Sequence, residues 1–556
     1  MRIIRNTIEE RKESMATGKA LDGKPYAGNP HERFDEGEVA PAAKPRRGSL
    51  LYTHCSLKVA MAAVAALSLG ASAAELDFRR PEIVPQPMEL SYEAATAVRI
   101  DAATEFAVTC PEAGAAEWVK AKVEAWFGVA GAKVSSVAAD GYGGGEEGYS
   151  LNAVPGRIEI GAKTLRGVKY AMYSLRQAAE RESAGAETKG YWLPALAVRD
   201  EPKIAFRGIH FCFFPECSIQ LVERYIRAAA YYKFNYIVIE NWGVFRSERY
   251  PFLSVPGAPM TVGEARRLAA VAKDCGITLV PQVNVLGHAA MERSVSGKHA
   301  TLDVHPECQP LFEPANGWNW CLSNPDAMKV LHGFIEEMHE AFGNPPFFHI
   351  GCDEADPPTC PQCRAVKPYA KLMGEHIASV ADLLRRRGAR AMMWHDMLLE
   401  RGKWKPFKAN GGADEAKMAD SLPKDIVICD WYYGDPPANR KYPTLDYFKS
   451  KGFDVLTSPA YRSNNGIEAQ SKYAIEKGLF GVLQTVWHHY RGSDFARRME
   501  ISACAVWGHG RAVSGCHQGG PVFATHWRQC GWDAGVKNYE ESGFFSSQVT
   551  RDALGD

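Results

Sequence analysis

The sequence lacks an excess of charge of either sign. Its 556 residues include 65 Lys and Arg against 65 Asp and Glu, so the formal net charge is zero. A nucleic-acid-binding protein needs a basic surface, and a protein held on an anionic membrane needs basic clusters. The composition therefore gives no support to a nucleic-acid partner or to a membrane-surface protein.

Cysteine is sparse, and an apolar stretch near the amino terminus is short. Fourteen cysteines in 556 residues are too dilute for a scaffold built on disulfides. The apolar run at residues 59–71 falls short of the about 20 residues that a membrane-spanning helix needs. We therefore expect no stable membrane span. The hydrophobic fraction of 46% is enough for a large core.

Residues 46–73 have the pattern of a signal peptide. A basic stretch at residues 46–58 precedes the apolar run, and Ala71-Ser72-Ala73 has the small residues of a cleavage site. A buried core helix is the alternative. We expect residues 48–74 to be a signal peptide and the polar residues 1–47 to be no part of the mature fold, because the start codon is mis-assigned. The mature protein would begin near Ala74 and be periplasmic or secreted.

Two regions of different pattern follow. Residues 75–202 combine short alternating strands, such as 156–160, with helical stretches at 117–126 and 165–179, and predict a small α+β domain. Residues 203–556 then alternate apolar strands with helices, for example 263–275, 325–342, 371–387 and 495–507. The predicted strands are 206–213, 234–240, 277–285, 347–352, 391–394, 426–431, 454–458 and 480–487.

Eight strand–helix units in sequence predict a (β/α)8 barrel, with a carboxyl-terminal extension. An open doubly wound sheet is the competing fold. It would usually carry a glycine-rich phosphate-binding turn after its first strand, and the sequence lacks one. The fold class predicted is α/β, a TIM barrel preceded by a small α+β domain.

Two adjacent carboxylates end the predicted strand at 347–352. A barrel places its chemistry at the carboxyl ends of its strands, which draws attention to Asp353 and Glu354. Two carboxylates this close do not readily both ionise, so we expect one pKa to rise, which suits a general acid beside a charged partner. An ordinary acidic loop is the alternative.

Aromatic residues end several other predicted strands. Trp394, Trp431 and Trp487 each close a strand, and Tyr461 follows a fourth. Aromatic walls at a barrel mouth stack on sugar rings and fill apolar notches. Core packing explains any single tryptophan equally well, but three at strand ends favour a binding site.

These residues resemble the motifs of glycoside hydrolase family 20, the β-N-acetylhexosaminidases. His349-Ile350-Gly351-Cys352-Asp353-Glu354 is similar to the family's His-x-Gly-Gly-Asp-Glu, with Cys in place of the second Gly. Weaker similarities are found at residues 83–87, 206–208, 281–288 and 458–461, and the resemblance extends over residues 77–510.

The resemblance implies catalysis in which the substrate's 2-acetamido oxygen attacks the anomeric carbon. It implies that Glu354 protonates the leaving oxygen and later activates water. Asp353 would hold the acetamido N–H and Tyr461 would donate to its oxygen. It also implies that Arg207 binds O3 and O4, that His288 supports the acid, and that the tryptophans enclose the acetyl methyl. The substrate-binding residues that it implies are Arg207, His288, His349, Trp394, Trp431, Trp487 and His489.

The chain departs from the family pattern at several positions. His489 occupies the place of a glutamate that binds O4, Ser463 that of an Asp or Asn for O6, and Asn284 that of an Asp before Gly-His. Glu240-Asn241-Trp242 replaces the usual acidic pair after the second strand. Gluco or galacto preference is therefore not carried over from the resemblance.

Cys360-Pro361-Gln362-Cys363 lies soon after the carboxylate pair. It could form half a zinc site with Cys352 as a third ligand, a disulfide, or two free thiols; a structural zinc site needs four ligands, and no fourth is evident. We expect no cofactor and no catalytic metal.

The sequence thus predicts an exo-acting retaining β-N-acetylhexosaminidase whose partner is a glycan or glycoconjugate. A related hexosaminide hydrolase of different sugar specificity and an inactive glycan-binding barrel are the alternatives. The intact Asp353-Glu354 pair argues against the inactive barrel. The oligomeric state stays open.

Overall fold

The computed structural model describes residues 80–138, 144–181, 190–214, 217–255, 257–290, 301–314, 317–460, 462–487 and 492–508. The predicted signal peptide and the polar segment before it lie outside these residues. Within them, no helix combines the length and the apolar character that crossing a bilayer requires.

The first part of the described chain forms a mixed, mainly antiparallel sheet of seven strands in the order β1-β7-β4-β5-β2-β3, with β6 paired to β7. Strand β2 runs parallel to both β3 and β5. The strands are β1 (Glu89–Ile100), β2 (Glu105–Thr109), β3 (Lys133–Val137), β4 (Tyr149–Val154), β5 (Arg157–Ala162), β6 (Glu180–Arg181) and β7 (Tyr191–Asp200).

Two helices pack against this sheet, α1 (Ala115–Phe127) and α2 (Leu165–Ala178). In α1 the buried residues recur at helical spacing, namely Ala115, Val119, Val123 and Phe127. Helix α2 begins at Thr164, whose hydroxyl accepts from the main-chain N–H of Gly167 at 3.3 Å. The predicted helices at 117–126 and 165–179 are therefore present.

The second part is a closed barrel of eight parallel strands, in the cyclic order β8-β9-β12-β13-β14-β15-β16-β17. All eight predicted strands are confirmed. The strands of this region are β8 (Phe206–Phe213), β9 (Tyr236–Asn241), the short β10 (Phe245–Arg246) and β11 (Met260–Thr261), β12 (Thr278–Gln282), β13 (Phe347–His349), β14 (Arg390–Trp394), β15 (Val427–Tyr432), β16 (Asp454–Pro459) and β17 (Gly481–Thr485).

Helices follow the barrel strands along the chain, as a (β/α)8 barrel requires. They include the four predicted ones, each within two residues at its carboxyl end. The helices are α3 (Ile219–Tyr231), α4 (Val262–Cys275), α5 (Thr301–Val304), α6 (Pro325–Ala341), α7 (Pro361–Ala365), α8 (Tyr369–Arg386), α9 (Met418–Ser421), α10 (Pro443–Ser450), α11 (Asn464–Lys477) and α12 (Gly492–Trp507).

Aromatic rings fill the barrel at the amino ends of its strands. Phe206 stacks on Tyr236 with ring centroids 4.2 Å apart, and Phe347 and Phe480 pack edge-on or tilted against Phe206. This layer closes one end of the barrel, so the carboxyl ends of the strands are left to form the mouth.

Helix α2 is buried on most of its surface because it lies between the amino-terminal sheet and the barrel. Its Tyr173 hydroxyl donates to the carbonyl of Cys275 at 3.0 Å, and its Lys169 ammonium donates to the carbonyl of Lys273 at 2.8 Å. Both carbonyls belong to the last turn of α4, whose unpaired carbonyls accept such donors. The two domains therefore share a packed, hydrogen-bonded interface.

Candidate active site

The loop after β13 is a tight turn that carries the two adjacent carboxylates. Gly351, Cys352 and Glu354 all have positive φ, at 65°, 73° and 50°. A side chain at Gly351 is excluded because its Cβ would lie 2.4 Å from Oδ1 of Asn284. The turn leaves the Asp353 side chain 7% exposed and that of Glu354 30% exposed. The two carboxylates thus occupy different environments.

Asp353 is held from two sides. The Asn284 amide Nδ2 donates to Asp353 Oδ1 at 3.0 Å, and His288 Nε2 lies 3.3 Å from Asp353 Oδ2. The same nitrogen of His288 is 3.7 Å from Oε2 of Glu354. The His288 ring packs on Trp318 with centroids 4.1 Å apart. His288 therefore lies between the two carboxylates, and its support of the acid stays a prediction.

A third carboxylate, Asp396, lies beside the pair; it follows a predicted strand end, but the sequence assigned it no role. Its Oδ2 accepts from the main-chain N–H of Glu354 at 3.0 Å and from Nδ2 of Asn410 at 2.7 Å. Its Oδ1 is 3.4 Å from the indole nitrogen of Trp431. Asp396 follows β14, which neighbours β13 in the barrel, so strand adjacency is the signal that could have identified it.

Burial, reinforced by the nearby charge of Asp353, raises the pKa of the Asp396 carboxyl to about 6. The ordinary value is about 3.9, so folding raises the affinity of this carboxyl for its proton. Stability that this proton contributes is fully present below about pH 4 and is lost as the pH rises through 6.

We therefore expect Asp396→Asn, which stays neutral, to gain stability relative to the wild type as the pH rises from 4 to 7. A shift of about two pKa units sets an upper limit of about 3 kcal/mol on the relative gain in the free energy of unfolding. Denaturant titrations across this pH range measure it, with the exposed Asp414→Asn as control. A difference independent of pH would contradict the shifted pKa.

Aromatic side chains from three strand ends meet at the mouth of the barrel. Trp394 has no exposed surface and packs against His349 at 4.4 Å and Trp487 at 5.7 Å between ring centroids. Trp431 stacks on Tyr433 at 4.9 Å, and the Trp487 indole nitrogen donates to the Tyr433 hydroxyl at 2.7 Å. Trp394 thus forms an inner layer, and half-buried Trp431 and Trp487 lie closer to solvent.

Comparison with known families bears on this site directly. Residues 80–201 match "Glycosyl hydrolase family 20, domain 2" and residues 240–464 match "Glycosyl hydrolase family 20, catalytic domain". The second match contains the carboxylate loop and the strand ends at Trp394 and Trp431. The chain belongs to glycoside hydrolase family 20.

Curated relatives of this family-20 chain are remote. It is 24% identical to "Beta-hexosaminidase" of Porphyromonas gingivalis over 348 residues, 52% of this chain and 42% of that protein. It is also 24% identical to "Beta-hexosaminidase" of Vibrio furnissii over 358 residues, 56% of this chain and 52% of that protein. The chain therefore spans about half the length of the curated relatives that it matches.

Solved structures of the family share the fold. The family-20 exo-β-N-acetylglucosaminidase of Vibrio harveyi, in complex with N-acetylglucosamine, matches with a TM-score of 0.62 at 18% identity, over 82% of this chain and 78% of that chain. The β-N-acetylhexosaminidase of Bacteroides fragilis matches with a TM-score of 0.61 at 18% identity, over 84% and 99%. These likenesses agree with a barrel preceded by a smaller domain.

Arg207 does not lie at the mouth, contrary to its predicted place among the sugar-binding residues. It is the second residue of β8, at the end opposite to the carboxylates, and is fully buried. Its guanidinium lies 2.7 Å from Oε2 of Glu147, donates to the hydroxyl of Tyr170 at 2.8 Å, and is 5.1 Å from the Trp507 ring. Arg207 therefore joins the barrel to the amino-terminal domain.

Removing this guanidinium should act on stability rather than on substrate binding. Arg207→Met removes one of the two guanidiniums that pair with Glu147 and leaves that of Arg166, so the cost should fall below the about 3–5 kcal/mol typical of a buried charge that loses its partner. We expect a lower free energy of unfolding, with KM of the folded fraction close to that of the wild type. A large rise in KM at unchanged stability would instead restore the predicted contact with sugar.

The other predicted residues divide into two groups. His349 is fully buried at the end of β13, where its Nδ1 accepts from the N–H of Gly351 at 3.1 Å, so it supports the loop beneath Trp394. Tyr461 and His489 lie outside the described residues, and their predicted roles stay predictions.

Two residues that depart from the family pattern stabilise the backbone near them through hydrogen bonds. Asn241 Oδ1 accepts from the N–H groups of Val244 and Phe245, both at 3.0 Å, and so closes the turn after β9. Ser463 caps α11 by accepting from the N–H of Gly466 at 2.8 Å.

Proposed function

We propose that the protein is an exo-acting retaining β-N-acetylhexosaminidase that removes terminal β-linked N-acetylglucosamine or N-acetylgalactosamine. One observation carries the proposal. Asp353 and Glu354 are adjacent carboxylates of unequal exposure, linked by His288 at the mouth of a family-20 barrel. The names of the curated and structural relatives support the same activity.

Glu354 is the general acid and base in this proposal. Its side chain reaches solvent, with 30% of its surface exposed, while its main chain is fixed by Asp396 on one side and by the Trp318 indole on the other. A fixed main chain limits the positions that the carboxyl can take, and general acid catalysis requires one of them to be within hydrogen-bond reach of the leaving oxygen. Glu354 gives its proton to that oxygen and then takes one from water.

Asp353 has the second role. Asn284 donates to one of its oxygens and His288 Nε2 lies 3.3 Å from the other, so neighbours restrict the carboxylate before substrate arrives. In the proposed mechanism it accepts the acetamido N–H and offsets the positive charge that develops on the cyclic intermediate. Such prepared charges can stabilise a transition state without the cost of reorientation. The tryptophans of the mouth enclose the acetyl methyl.

A panel of aryl β-glycosides that differ at C2 and C4 tests the function. We expect turnover of the N-acetylglucosaminide, the N-acetylgalactosaminide or both. Turnover of neither, in protein shown to be folded, would favour an inactive glycan-binding barrel. The ratio of the two rates gives the C4 preference.

We also propose that the protein is exported. The support is the basic stretch, apolar run and small-residue site of residues 46–73. Expression of the full coding sequence in a Gram-negative host, followed by amino-terminal sequencing of the periplasmic fraction, tests it. A chain that stays cytoplasmic with this segment uncut would overturn the proposal.

A further inference from the structure

Three cysteines and one glutamate converge next to the loop that carries Glu354. The sulfur of Cys321 lies 3.7 Å from that of Cys360 and 3.8 Å from that of Cys363. One carboxylate oxygen of Glu313 joins them, and all four atoms lie within 4.8 Å of one another. Cys360 is half-buried and the other three residues are buried.

These distances fit a metal centre and not a disulfide. Zinc binds thiolate sulfur at about 2.3 Å in tetrahedral geometry, which places two such sulfurs about 3.8 Å apart. A disulfide would require about 2.05 Å between them. We propose that Cys321, Cys360, Cys363 and Glu313 form a structural zinc site.

Glu313 supplies the observation that is independent of the cysteines. It is only 2% exposed, and its Oε2 accepts from the N–H and the hydroxyl of Thr359 at 2.8 and 3.1 Å. Its Oε1 is buried and meets no nitrogen or oxygen donor within the described residues, and the Cys363 side chain faces the carboxylate. A buried carboxylate that faces sulfur is costly as a charged group unless a cation neutralises it. The proposed zinc is such a cation.

Cys360 immediately precedes the short helix α7, and Cys363 is the third residue of that helix, so both sulfurs come from one turn of the chain. Cys352, which the sequence analysis considered as a ligand, does not take part, since its sulfur faces the carbonyl of Ile350 at 3.5 Å.

The site would fasten together two segments that support the catalytic loop. The Asn319 amide donates to the carbonyl of Asp356 at 2.7 Å and accepts from its N–H at 3.2 Å, and the Trp318 indole donates to the carbonyl of Glu354 at 2.9 Å. The approach of Cys321 to Cys360 adds a further contact between the same two segments. Four protein ligands leave no open position, so the zinc would be structural and not catalytic.

The first test measures metal in the full chain with its affinity tag removed. The protein is incubated with Zn²⁺, desalted and analysed by mass spectrometry for elements. We expect roughly one zinc per chain, because four ligands make one closed site. Cys321→Ser, Cys363→Ser and Glu313→Gln should each lose most of it. Cys308→Ser is the matched control, because this half-buried cysteine precedes Cys321 and lies outside the cluster.

A second measurement does not depend on whether the variants fold. A thiol-blocking mercurial added to the wild-type protein should release the zinc stoichiometrically, and Co²⁺ in its place should give the strong absorption of cobalt–thiolate bonds. Wild-type protein that retains no zinc after loading would overturn the proposal. So would a disulfide between any two of the three cysteines, or full zinc retention by Cys321→Ser and Cys363→Ser.

Discussion

Replacement of Glu354 by glutamine is expected to lower kcat/KM for natural glycans by about 10² to 10⁴. A sugar alkoxide leaves slowly without a proton, and an amide cannot supply one. Activated aryl leaving groups need less protonation, so their bond cleavage should suffer less. The fold should be preserved, because the contacts that fix Glu354 are made by its main chain, with Asp396 and Trp318.

The measurement compares a chitobiose-type substrate with an activated aryl glycoside for wild type and variant. Glu375→Gln is the control, since Glu375 is 64% exposed on α8 and pairs with Lys371 on the same helix. We expect the control to keep wild-type activity on both substrates. Hydrolysis of the chitobiose-type substrate by Glu354→Gln at the wild-type rate would show that another group is the acid.

The barrel could be predicted from the sequence because each strand is an apolar run with helical spacing after it. The residues at which the strands end were harder to predict. Predicted strand 347–352 ends at His349, because Gly351 and Cys352 turn into the left-handed region. Predicted strand 277–285 similarly ends at Gln282. The loops that follow these strand ends form the mouth of the barrel. Their irregular backbone carries the polar side chains of the site.

The members of the site could be predicted where they are adjacent in sequence, as Asp353 and Glu354 are, or where they end a predicted strand, as the three tryptophans do. The contacts of Asp396 with Glu354 and of Cys321 with Cys360 arise only through folding. The error at Arg207 has a different cause. Its motif was given a role at the mouth, but the second residue of a barrel strand lies at the opposite end. The position of Arg207 near the start of its predicted strand already argued against that role.

The largest effect expected from a change of substrate concerns the acetamido group. If the substrate supplies the nucleophile, a glycoside with a 2-hydroxyl in its place should be almost inert, because it loses both the nucleophile and the contacts with Asp353 and the tryptophans. Matched 2-acetamido and 2-hydroxy aryl glycosides measure this directly. Comparable rates on both would leave an enzyme carboxylate as the nucleophile.

A thiazoline that mimics the cyclic intermediate separates the role of Asp353 from that of the acid. It should bind much more tightly than substrate, as ligands resembling a transition state do. Asp353→Asn should weaken its binding, because an amide cannot offset positive charge on the ring and would turn an N–H toward Asn284 or His288, which now approach both oxygens of Asp353. Glu354→Gln, by contrast, should keep most of the affinity, since no leaving group needs a proton in this complex. Equal inhibition constants for wild type and Asp353→Asn would remove Asp353 from the intermediate and leave it a structural support of the loop.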